Sequence, residues 1–129
     1  MKDIRNKTHA LLFGLSEDLA GELIPQLKSC AINIEAIKHD GNVAELPALA
    51  DSPADIIFCS ADVNLVSELR SAKPEAPIVV VSRHPEVSDW LDSIEAGATD
   101  YCAAPFENSQ VKWIVESSLR SAAGPLAFA

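Results

Sequence analysis

Two short runs, Ile56-Ile57-Phe58 and Val79-Val80-Val81, are apolar at every position. A strand with one wet face alternates polar and apolar residues, whereas a strand without polar positions must be covered on both sides, as inside a parallel sheet. Apolar runs at residues 9–13, 32–37, 55–59, 77–82 and 99–102 predict five strands. The segments between them have helical spacing instead. In the last of these, Val111, Ile114, Val115 and Leu119 form one stripe, with Asn108 or Ser109 as cap and Gly124-Pro125 as stop. Ser16 caps an expected helix through Leu19, Leu23, Ile24 and Leu27, bent at Pro25. Residues 42–50, interrupted by Pro47, and 64–72, with Leu65, Val66 and Leu69, predict two short helices. A further helix carries Val87, Leu91 and Ile94 on one face, with Pro85 before its first turn and Gly97 at its end. Alternating strands and helices joined by right-handed crossovers imply an α/β fold, an open, doubly wound parallel sheet.

The 129 residues suit one domain, with a core over 7–122 and a tail or linker stump over 123–129. With 48% hydrophobic and 22% charged residues, a packed core is expected and disorder is not. A net charge of -9 disfavours phosphate backbones and anionic membranes, so neither direct nucleic-acid nor membrane binding is expected. Neither a membrane-length apolar run nor a signal-peptide core follows the charged start, which implies a cytoplasmic protein. Cys30, Cys59 and Cys102 are too scattered for a disulfide framework or zinc site and read as small buried hydrophobes.

From residue 77 onward, PIVVVSRHPEVSDWLDSIEAGATDYCAAPFE resembles the second half of a response-regulator receiver domain, as found in chemotaxis regulators. The strand ends in Ser82, a helix closes on Glu95-Ala96-Gly97-Ala98, and Asp100-Tyr101 opens the next strand before Ala104-Pro105-Phe106. Upstream, Ala54 to Ser60 is similar to the strand that ends in the family's phosphorylated Asp, and Ala10 to Leu15 to the strand that ends in its acidic pair. The resemblance spans 7–122 and implies a flavodoxin-like (βα)5 sheet of order 2-1-3-4-5, with the site at the carboxyl ends of the strands. It also implies a cis peptide bond at Ala104-Pro105.

In that family the acidic pair and the acceptor Asp hold Mg²⁺, while a Lys and a Thr or Ser bind the phosphoryl oxygens. Here the matching positions are Gly14, Leu15, Ser60 and Ala104, and Ser82 alone keeps its chemistry. The resemblance is therefore to a degenerate pseudo-receiver, with no metal, no cofactor, no catalytic residue and no phosphoryl transfer of its own. Glu17, Asp18 and Asp62 lie near the rim, and a rearranged metal site from them is a minor alternative to their service at helix starts. Ser60 or Ser82 with His84 lacks the nucleophile elbow and acidic partner of a hydrolase, and Arg83 is read as solvated. His9 and His39 are read as surface groups.

Trp113 lies off its helix's stripe, Trp90 at the edge of another, and Tyr101 at the family's switch aromatic. The resemblance implies that the face formed by the fourth helix, last strand and last helix docks partners, for which aromatics are common anchors. The expected function is a phosphorylation-independent interaction module in two-component signalling, its partner another signalling protein or a second copy. The alternative is a small-molecule sensor that uses the uncharged former phosphorylation pocket.

Overall fold

The computed structural model describes residues 8–30, 34–39, 44, 46–49, 54–83 and 87–122. Their elements are β1 (Thr8–Phe13), α1 (Glu17–Cys30), β2 (Ile34–His39), α2 (Leu46–Leu49), β3 (Ile56–Ser60), α3 (Val63–Ala72), β4 (Ile78–Ser82), α4 (Val87–Ala96), β5 (Asp100–Ala103) and α5 (Asn108–Ala122). All pairings are parallel and the sheet order is β2-β1-β3-β4-β5, the flavodoxin-like arrangement. Successive residues of a strand point to opposite faces, so the apolar runs divide between two cores. Ile56, Phe58, Val79 and Val81 pack with Leu23 and Leu27 of α1 and Val111, Ile114 and Val115 of α5. Ile57, Cys59, Ile78 and Val80 pack on the other face with Leu46 of α2 and Leu65, Val66 and Leu69 of α3.

Local chemistry sets the element ends. Leu19 N–H donates to Ser16 Oγ at 3.2 Å, capping α1, which then runs through the exposed Pro25 without interruption. At α3 the Asp62 carboxylate accepts from the N–H groups of Asn64 and Leu65 at 3.0 and 3.2 Å. Of the expected helix over 42–50 the structure describes Leu46–Leu49 as helix, with Pro47 in its first turn, where its missing N–H costs nothing. β2 runs to His39 rather than residue 37 because β1 continues to pair with it through Phe13↔His39. The expected starts at residues 32 and 42, and the proposed Gly124-Pro125 stop, lie outside the described residues.

The largest departure concerns α4, whose apolar residues do not face the sheet. Trp90, Leu91 and Ile94 are 45%, 53% and 39% exposed, while Ser93 is buried. Among the described side chains, α4 contributes only Ser93 and the partly buried Ala96 to the interior. The described part of the stripe expected to bury α4, Leu91 and Ile94, therefore points outward.

Arg70 fastens the C-terminal end of α4. Its Nε and Nη2 donate to Gly97 O at 3.1 and 2.8 Å, and its Nη1 to the carbonyls of Lys73, Pro74 and Ala76 at 3.1, 2.8 and 2.7 Å. Gly97 has φ +125°, and a Cβ there would lie 3.0 Å from Arg70 Cγ. Glycine alone meets both demands.

Candidate functional site

Because the strands are parallel and in register, their carboxyl ends gather the positions singled out in the sequence. Phe13 pairs with Cys59, Ser60 with Val81, and Ser82 with Ala103. Gly14 therefore follows β1 beside Ser60, with Ser82 and Ala104 beyond. Gly14 turns the chain with φ 75°, and its N–H donates to His39 O at 3.0 Å. Ala104 N–H donates to Ser82 O at 2.9 Å, and the Ala104-Pro105 peptide bond is cis. Ser60 and Ser82 are partly buried and Ala104 is buried. Leu15 packs into the core beneath α1 and α5, so its side chain belongs to the interior rather than to the rim.

Four described carboxylates near this rim are engaged. Asp62 caps α3. Glu17 Oε1 lies 3.0 Å from Lys38 Nζ on β2. Arg83, at the end of β4, reaches α1 and donates from Nη2 to Glu22 Oε2 at 2.8 Å and Asp18 Oδ2 at 3.3 Å. The bond to Glu22, above all, raises the guanidinium pKa further, and Arg83 is a surface cation paired with α1.

The magnesium site of active receivers needs several free oxygen ligands. Gly14, Leu15 and Ser60 supply one neutral hydroxyl, and Asp62 caps a helix while Glu17, Asp18 and Glu22 pair with bases, so these residues do not fit that ion. Among the described residues no group of His, Cys, Asp and Glu side chains could hold a metal ion. Nor does Cys59, adjacent to Ser60, offer a nucleophile. Burial, with a smaller contribution from Asp62, pushes its thiol up to about 12. Burial, then Asp100, pushes Cys102 up to about 11.

The histidines differ from expectation or escape it. His9 is partly buried between strands, with Nδ1 3.5 Å from Asp55 Oδ2 and Nε2 3.8 Å from Glu35 Oε1, at the opposite end of the sheet from the rim. His39 stacks on Phe13 with ring centroids 4.6 Å apart. His84 lies outside the described residues.

Of the expected interface aromatics, Trp113 is 64% exposed on α5 and Trp90 is exposed on α4. Tyr101 is instead partly buried against the α2–α3 core, and its buried hydroxyl has no hydrogen-bond partner among the described residues. It turns inward because it occupies a central-facing position of β5 opposite Val80. Sequence reasoning missed that Leu91 and Ile94 join Trp90 at the surface. The available signal was Ser93, a polar residue at the position that faces inward.

No protein-family model matches the sequence, and no curated protein does. Solved structures match its fold. A response regulator from Thermotoga maritima has a TM-score of 0.77 at 18% identity, over 88% of this chain and 98% of that one. NtrX from Brucella abortus, in a complex with ATP, has a TM-score of 0.79 at 20% identity, over 91% of this chain and 27% of NtrX. The beryllofluoride-activated NtrC4 receiver domain dimer has a TM-score of 0.75 at 13% identity, over 88% of this chain and 98% of that one. At these identities the likeness is one of fold: this chain has the fold of response-regulator receiver domains.

Proposed function

We propose that this domain, residues 1–129 with its core over 7–122, is a receiver-like module of two-component-type signalling that acts by docking and carries no aspartyl phosphate. The observation that supports this most is the carboxyl-end rim, where Gly14, Ser60 and Ala104 present no ionisable group, the Leu15 position turns into the core, and Asp62, Glu17, Asp18 and Glu22 are committed to other contacts. A carboxylate nucleophile and a cation that screens it are both needed for phosphoryl transfer in the family's manner. Neither can be assembled from these side chains. Docking is assigned to the α4–β5–α5 face, where Trp90 and Trp113 stand exposed. A partner protein or a second copy fits such a face, and the NtrC4 receiver domain, of similar fold, forms a dimer. The protein is read as non-enzymatic and cytoplasmic.

The test is the intact mass of the full chain, native and denatured, before and after Mg²⁺ and acetyl phosphate. The expected result is no added phosphoryl mass. A gain of one phosphoryl group would overturn the reading, and a native mass with an unexplained small molecule would move the assignment to a ligand sensor that uses Ser60 and Ser82.

A further inference from the structure

On α4, Trp90 lies four residues before Ile94 and Leu91 three, spacings that set these side chains beside one another on one helical face. All three are exposed, and on the other side of the edge strand β5 Trp113 stands exposed on α5. At these exposures the four side chains offer roughly 400 Å² of apolar surface. A homodimer at the small end of specific interfaces buries about 1,200 Å² in total, about 65% of it apolar, so each copy must contribute roughly 400 Å² of apolar surface. The area on offer matches the area a dimer needs.

We infer that the occupant of this face is a second copy of this chain, an assignment that rests on the docking reading above. A two-fold axis sets a patch against itself, and an apolar ridge meets its own copy without any charge pattern to match. Asp89, Asp92 and Glu95 are exposed on the same helix and each chain carries a net charge of -9, so two copies repel as they approach. Dissolved salt screens that repulsion. A contact held by the ridge therefore tightens as ionic strength rises, the opposite of a contact held by ion pairs.

The experiment is sedimentation equilibrium of the full, unaltered chain. From about 1 to 200 µM it should pass from monomer to dimer. Between about 20 and 300 mM sodium chloride the dimer should tighten several-fold. Leu91→Gln with Ile94→Gln, which changes no charge, should weaken it by about tenfold or more, and Trp90→Ala by a similar factor. Val63→Ser, in the separate groove that Val63, Asp92 and Glu95 line between α3 and α4, should leave it within about twofold. Thermal melts of each variant at the lowest concentration, where the chains are monomeric, check that it is folded. A parent that stays monomeric throughout overturns the inference and leaves the docking reading to a different protein. A dimer that loosens with salt also overturns it, because ion pairs then hold the contact. A dimer that persists in both ridge variants lies elsewhere on the molecule, and overturns the inference together with the assignment of this face as the docking surface.

Discussion

Arg70 donates to four main-chain carbonyls in three segments, the end of α3, the loop before β4 and the turn after α4. Arg70→Met keeps the aliphatic stem but leaves those carbonyls to find water. Chemical denaturation should show a loss of about 2 kcal/mol, in the range for hydrogen bonds made by a charged donor. Gly97→Ala should also destabilise, because it adds a Cβ at positive φ against the Arg70 stem. The two effects should be less than additive, since both act on one contact. The cysteines carry the pH dependence. Cys59 rises from an ordinary 9.0 to about 12 on folding, and so its thiol is retained where the unfolded chain already ionises. That stabilisation is full below about pH 9 and is lost as the pH climbs toward 12. The alkaline decline in stability should be shallower in a Cys59→Ala, Cys102→Ala variant, and neither thiol of the folded parent should react with a disulfide reagent at neutral pH. Burial of Cys59 and Cys102 was legible from their apolar strands. The Arg70 contacts were not, because main-chain carbonyls leave no mark in a sequence.

At the scale of elements, β3 and β4 were the most legible because a run without polar residues admits one placement, between two layers. Helix α4 was legible as a helix and misread in its orientation. Periodicity reveals that an apolar stripe exists but not whether sheet or solvent lies beneath it. Leu91→Asp should accordingly change stability by no more than about 0.5 kcal/mol. Leu69→Ala, which empties a fully buried site on α3, should cost about 3 kcal/mol. Thermal melts of the two variants side by side check that the α4 stripe is not part of the core.

For the whole molecule, topology followed from the order of runs, and the degenerate rim from five residues whose alignment depended on resemblance. What the sequence could not disclose was the fate of the remaining acids, since Arg83 is separated from Glu22 by 61 positions and meets it only through the fold. Charge is the property that governs encounters. At -9 the chain should not retard duplex DNA in a gel-shift assay even at low salt, where nonspecific attraction is strongest.

The outward stripe of α4 has an evolutionary corollary. The described large apolar side chains that hold the sheet together belong to other elements, so residues 90, 91 and 94 can be exchanged with little penalty to folding. Recognition and stability are thereby written in separate places. A lineage, or an engineer, could rewrite the address on α4 and keep the same scaffold beneath it.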